Sequence, residues 1–279
     1  MRVHHYIKNF LVFATLACSG QLFDINKLGK VFLGFISFCM VSSVIYVIND
    51  IKDVERDRNH PQKRNRPLAA GIISFKAAWV LVVCLFLTAC ICNYLVFDIT
   101  ATIMLASYFV LNFAYSFGLK NIPIVDITII VVGFLLRVLY GAVIADISIS
   151  NWLYLVVISV SFYFALGKRR NEIKKLDGLD TRSVLKQYPV SFLDKSMGMC
   201  LTLANVFYAL WSMDQQTVAL YNGRPVILSM PVVLLITMKY SLTVEGDSDG
   251  DPVEVLLHDK ALIVLCALYL LTMLGLMYL

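Results

Sequence analysis

The chain has 279 residues, 59% of them hydrophobic and only 15% charged, with a mean hydropathy of +0.76 and a formal net charge of +5. Soluble domains are near half apolar and a quarter charged, so this composition excludes a soluble globular protein. It predicts an all-α integral membrane protein, read as one transmembrane domain over residues 1–279, whose positive charge reflects membrane topology and anionic ligands, with no nucleic acid.

A membrane span needs about 20 mostly apolar residues. In chain order, apolar runs near 10–23, 30–48, 77–97, 99–117, 122–144, 152–167, 196–213, 225–240 and 261–279 predict nine transmembrane helices. The first run is short, and RVHHYIKN before it can extend the helix along the interface. No small-residue cleavage site follows it, so it reads as a span and not as a signal peptide. With the N-terminus inside, loops 1–9, 49–76, 118–121, 168–195 and 241–260 share one side. Counting residues at span ends with their nearest loop, that side holds 20 of the 24 Lys and Arg. The positive-inside rule makes it cytoplasmic, with the C-terminus outside. The seven cysteines lie almost wholly in apolar runs and read as packing residues.

At the end of the second run stands NDIKDVERDRNHPQKRNRP, residues 49–67, with four acidic and six basic residues. Steps of three and seven return to nearly one helix face, so Asp50, Asp53 and Asp57 gather there. Like charges this close repel, and a multivalent cation relieves them. Mg²⁺ is typically held by one or two carboxylates, with waters and phosphates completing the shell. The following Lys63, Arg64 and Arg66 suit phosphate oxygens. Acid for a metal and base for a phosphate together predict a diphosphate carried as its Mg²⁺ complex. A solvated charged loop is the plainer alternative.

Further along, the fourth run ends in NFAYSFGLKN, offering Tyr115 and Lys120. The fifth carries Arg137, an intramembrane cation that reads either as a ligand to a wet cavity or as one half of an ion pair with Asp126. The sixth ends in ALGKRRNE, with Lys168 and Glu172 spaced i,i+4 and Arg169 beside them; a basic cluster that only sets topology is the alternative. Lys8 sits at the mouth of the first run. Asp251, Glu254 and Asp259 read as a plain acidic loop.

Asn49, Asp50, Asp53 and Asp57 match NDxxDxxxD, and the chain here resembles the UbiA-type intramembrane prenyltransferase superfamily. The resemblance implies nine helices around a central cavity, with cytoplasmic cap loops at about 49–76 and 168–195. Those enzymes carry a second acidic motif, DxxxD, after the sixth helix. This chain has GKRRNE instead, and with HHYIKN, AYSFGLKN, LLRVLYGA and DPVEVLLHDK it resembles the decaprenyl-phosphate phosphoribosyltransferase branch. The branch implies transfer of 5-phosphoribose from phosphoribosyl diphosphate to a polyprenyl phosphate, with release of diphosphate. It also implies a bacterial plasma membrane location and an active site facing the cytoplasm. Asp50, Asp53 and Asp57 are then expected to hold Mg²⁺ and act catalytically. Lys8, Asn49, Lys63, Arg64, Arg66, Tyr115, Lys120, Arg137, Lys168, Arg169 and Glu172 are expected to bind substrate. Homo-oligomerisation is left open. Two rival readings stand beside this one: a prenyltransferase acting on an aromatic acceptor, disfavoured by the missing DxxxD, and a small transporter, disfavoured by the lack of repeated halves or paired broken helices.

Overall fold

The structure, a computed structural model, describes residues 3–58, 63–175, 183–246, 248 and 250–278. The side chains of residues 3–5, 56, 63, 175 and 183 lie outside the description as well. Among the described residues every regular element is helical. That follows from the composition, because a backbone crossing hydrocarbon must satisfy its own N–H and C=O groups, and a helix does so within one segment.

Among the described residues eight helices are long and apolar enough to cross a membrane. They are α2 (Ile25–Lys52), α4 (Phe75–Val96), α5 (Ile99–Phe117), α6 (Val125–Ala145), α7 (Asn151–Lys175), α8 (Val190–Met213), α10 (Met230–Glu245, preceded by a 3₁₀ turn) and α12 (Lys260–Tyr278). Shorter helices are α1 (Ala14–Cys18), which precedes them, and α3 (Val54–Arg58), α9 (Gln215–Leu220) and α11 (Pro252–His258), which lie between them. The chain is therefore a multi-pass membrane protein. The first expected span differs from the other eight. Val3–Phe13 is a 3₁₀ segment that runs into α1, and its α-helical part is five residues long.

Helix ends are set by local chemistry. Asp24 caps α2 by accepting from the backbone N–H groups of Asn26 and Lys27. Ser74 caps α4 through Ala77 N–H, and Asp251 caps α11 with Pro252 behind it. Each side chain takes an N–H that the helix itself leaves without a partner.

Two compact units are formed. The first comprises residues 1–16, 24–117 and 136–147. Its core, with Val44, Val47, Val54, Leu68, Ala78, Val82 and Leu85, packs α2 against α4 and draws in the turn after α3. The 3₁₀ segment lies along α2 and presses on α6 at Gly141. A Cβ there would fall 1.9 Å from the carbonyl oxygen of Val12, so only glycine permits the approach. The second unit comprises residues 17–23, 118–135 and 148–279. One of its cores centres on Tyr163, Leu166, Leu193, Met197, Tyr240 and Leu262. Another centres on Tyr208, Trp211, Tyr221 and Met273.

Candidate active site

In the first unit α2 ends at Lys52, one residue before Asp53, and α3 begins one residue after it. The helical register is not lost at this break. Asp53 N–H donates to Asn49 C=O at 2.9 Å, and Asp57 N–H donates to Asp53 C=O at 2.8 Å. The helical turn therefore runs on from Asn49 through Asp53 to Asp57, and on a continuing turn the steps of three and seven from Asp50 to Asp53 and Asp57 fall on nearly one face.

Asp57 is buried, whereas Asn49, Asp50 and Asp53 are half-buried. Arg66 returns to this face from the turn after the 3₁₀ segment Lys63–Asn65. Its Nη1 donates to Asp50 Oδ1 at 3.2 Å and also to Asp57 Oδ2. Two carboxylates thus converge on a single cationic nitrogen. Among the described residues no group of three His, Cys, Asp or Glu side chains is drawn together closely enough to hold an ion. The donor set fits a hard cation that takes one or two protein carboxylates and fills its shell from phosphate and water.

The other cations of this stretch divide by their surroundings. Lys52 donates to Ser116 C=O at 2.8 Å and lies 3.9 Å from the centre of the Phe117 ring. Arg58 pairs with Glu55 one turn back. Arg64 is exposed, and the side chain of Lys63 lies outside the described residues. Residues 59–62 and 176–182 of the two expected cap loops lie outside them too.

Arg137 is buried in the first unit, yet its neighbours are not the ones the sequence suggested. Its Nε donates to Asn9 Oδ1 and its Nη2 to Tyr108 OH, each at 2.8 Å. The rings of Phe38 and Tyr108 flank the guanidinium at 5.3 and 4.8 Å. Asn9 in turn donates to Cys39 Sγ, and Tyr6 bonds Ser43. A polar column thus runs along α2 below the aspartates. The alternative pairing of Arg137 with Asp126 is corrected here. The two are eleven residues apart on one helix, about 16 Å at 1.5 Å per residue, beyond any ion pair. Lys8 and Tyr115 are half-buried.

In the second unit Asp126 is fully buried and is engaged from two sides. Arg169 Nε donates to its Oδ2 at 2.7 Å, and Tyr188 OH donates to its Oδ1 at 2.6 Å. Arg169 also donates to Glu172 Oε2 at 2.8 Å and is only 1% exposed. Burial pushes the Tyr188 hydroxyl up to about 12, and the hydrogen bond to the Asp126 carboxylate adds to the rise.

The rest of GKRRNE is held as firmly. Arg170 pairs with Asp194 on α8. Asn171 donates to Val244 C=O at 2.8 Å and to both oxygens of Ser248. Gly250, at φ +68°, lies so close to Gly167 that a Cβ on it would meet the Gly167 carbonyl oxygen at 2.8 Å. Lys168 reaches Asp251 at 3.4 Å with 35% of its side chain exposed, which makes it the most accessible cation of the motif. Lys120 is half-buried in the 3₁₀ turn Leu119–Asn121.

Sequence reading did not anticipate Tyr188, Asn171, Asp194 or Tyr108. The signal nearest to hand was Asp126, a carboxylate opening a mostly apolar run whose one cation, Arg137, stands eleven residues on, so that a cation and a donor must come from elsewhere in the chain.

The UbiA prenyltransferase family model matches residues 10–257. A decaprenyl-phosphate phosphoribosyltransferase from Corynebacterium glutamicum is 34% identical over 270 residues, covering 95% of this chain and 81% of that protein. Another, from Mycolicibacterium smegmatis, is 34% identical over 277 residues, covering 95% of this chain and 87% of its own. The solved structure of a UbiA homolog from Archaeoglobus fulgidus, bound to GPP and Mg²⁺, matches with a TM-score of 0.70 over 100% of this chain and 98% of that one. At 16% identity it is a likeness of fold. The aspartate-bearing end of α2, the all-helical architecture and the extent of these matches agree: the chain belongs to the UbiA prenyltransferase family.

Proposed function

We infer that this chain transfers 5-phosphoribose from phosphoribosyl diphosphate to a polyprenyl phosphate in the membrane and releases diphosphate. The carrying observation is the identity of about a third, over nearly the whole chain, to two enzymes named for that transfer. The absence of a second acidic motif supports the same reading, since GKRRNE stands where the prenyl-transferring enzymes have DxxxD.

Asp50, Asp53 and Asp57 are the residues that would hold Mg²⁺, with Asn49 orienting the donor beside them. When bound, the ion would neutralise the diphosphate as it leaves. In the reaction an oxygen of the acceptor phosphate forms the new bond to the anomeric carbon of the ribose. The anomeric C–O bond to diphosphate breaks, and its electron pair departs with the diphosphate. The acceptor is already an anion, so no general base is required, and positioning is the main task of the protein. Lys8, Lys63, Arg64, Arg66, Lys120 and Lys168 are assigned to phosphate oxygens, which they stabilise as charge-assisted donors. Tyr115 and Arg137 are assigned to polar contacts deeper in the site. Arg169, with Glu172, is assigned a supporting role, because its guanidinium is committed to Asp126.

The whole chain is read as one catalytic domain with nine spans, the N-terminus cytoplasmic and the site facing the cytoplasm of a bacterial plasma membrane. The lysine and arginine distribution supports the orientation. The 3₁₀ segment and α1 support the ninth span. At about 2.0 Å per residue for the first and 1.5 Å for the second they cover about 30 Å, the thickness of the hydrocarbon core.

The test is diphosphate release by the purified protein with Mg²⁺. Release is expected only when phosphoribosyl diphosphate and a polyprenyl phosphate are both present. Release that ignores the lipid phosphate would remove the assignment.

A further inference from the structure

Arg66 does not grip its carboxylates as arginine usually does. A guanidinium commonly meets one carboxylate with two parallel N–H groups. Here one nitrogen, Nη1, serves two carboxylates, Asp50 at 3.2 Å and Asp57. It therefore stands between them as a point cation would. Asp57 is 3% exposed, so its charge is desolvated and needs a partner at hand.

The backbone behind Arg66 is built to deliver it there. Leu68, two residues on, is buried beside Val54 in the core of the first unit. Ala70 N–H closes on Arg66 C=O at 2.8 Å, and Gly71 N–H on Leu68 C=O at 3.2 Å, with Gly71 at φ +74°. Pro67 disfavours α-helical backbone at Arg66. The turn and its apolar anchor fix where the guanidinium starts, so its place between the aspartates is not that of a wandering surface side chain.

We propose that Arg66 is a tethered counter-cation for the aspartate face. It holds Asp50 and Asp57 while no metal is present, yields them when the metal arrives on the donor diphosphate, and then turns its guanidinium to diphosphate oxygens. The consequence is an order of binding. Free divalent cations must displace a charge already on the carboxylates, whereas a metal–diphosphate complex offers Arg66 a new anion in exchange. This rests on the reading above that the aspartates hold the metal of the donor.

The test measures Mn²⁺ binding by electron paramagnetic resonance, with no substrate and then with inorganic diphosphate, for the wild type and Arg66→Met in detergent. Without substrate, Arg66→Met is expected to bind Mn²⁺ more tightly, by up to about fivefold, the value of releasing one partly exposed ion pair. In EDTA its melting temperature is expected to fall below that of the wild type, and Mn²⁺ is expected to restore it. With diphosphate present, the gain is expected to vanish or reverse. Arg66→Lys keeps the charge and is expected to bind free Mn²⁺ as weakly as the wild type. Arg66→Gln is a second neutral variant of different shape should Arg66→Met not fold. Unchanged Mn²⁺ affinity in a folded neutral variant would overturn the counter-cation role. The activity is judged separately. A preparation that makes phosphoribosyl lipid but shows no Arg66 effect on Mn²⁺ refutes this inference alone, and one that shows the Mn²⁺ effect but makes no such lipid refutes the activity alone.

Discussion

Arg169 and Asp126 face each other at 2.7 Å with 1% and 0% of their side chains exposed, so α6 and α7 are joined by an ion pair sealed from water. Removing one partner of such a pair strands the other charge, at a cost of about 3–5 kcal/mol. Arg169→Met and Asp126→Asn are each expected to lose that much in denaturant unfolding in detergent. The double variant Asp126→Leu with Arg169→Met is expected to recover a large part, since no buried charge is left alone. Single variants as stable as the wild type would return Arg169 to the list of direct phosphate ligands.

Tyr188 completes the same cluster and gives it a pH signature. Its hydroxyl is raised from 10.0 to about 12 by burial and by the Asp126 carboxylate it donates to. A group whose pKa is raised on folding contributes stability that is full below the unfolded pKa. That contribution is lost as pH rises through the folded value. The melting temperature is therefore expected to decline between pH 10 and about 12, and Tyr188→Phe is expected to flatten this part of the profile. An unchanged profile in the variant would place the titration elsewhere.

Gly141 offers a test of the first unit that is independent of charge. An alanine Cβ would sit 1.9 Å from Val12 C=O, a backbone atom that cannot swing aside. Overpacking typically costs about 1–3 kcal/mol, and Gly141→Ala is expected at or above the top of that range. A variant that melts with the wild type would show that the 3₁₀ segment does not press on α6.

Asp50→Asn and Asp53→Asn remove charge from the proposed metal face while keeping shape. Each is expected to lower turnover by more than about a hundredfold at limiting Mg²⁺. EDTA is expected to stop turnover in the wild type and to leave its melting temperature nearly unmoved, because Arg66 compensates Asp50 and Asp57 without metal. Turnover that survives in both variants would remove the aspartates from the metal. A wild type that unfolds on chelation would make the site structural.

The features legible in the sequence were those with a local period. Apolar runs marked eight of the long helices, because a span declares itself by length alone. Backbone hydrogen bonds carry the helical turn across the break at Asp53, so the local spacing of Asp50, Asp53 and Asp57 keeps its meaning there. Pairings made between helices were not legible. Arg169 meets Asp126 across 43 residues of sequence, and Arg137 meets Asn9 across 128. Such contacts depend on how helices register against each other, which no window of sequence encodes. One error was avoidable, since the rise of α6 alone separates Asp126 from Arg137. Residues 3–13 wind as a 3₁₀ helix along α2, a form that local periodicity does not announce.

The most direct measurement is a product assay with competing donors. Purified protein in lipid nanodiscs with Mg²⁺ is given labelled phosphoribosyl diphosphate with a polyprenyl phosphate. In parallel it is given a prenyl diphosphate with an aromatic acid, and lipid products are resolved by mass. The expected result is a polyprenyl phosphate enlarged by one phosphoribosyl group in the first reaction and no prenylated acid in the second. A prenylated aromatic acid without any phosphoribosyl lipid would contradict the account.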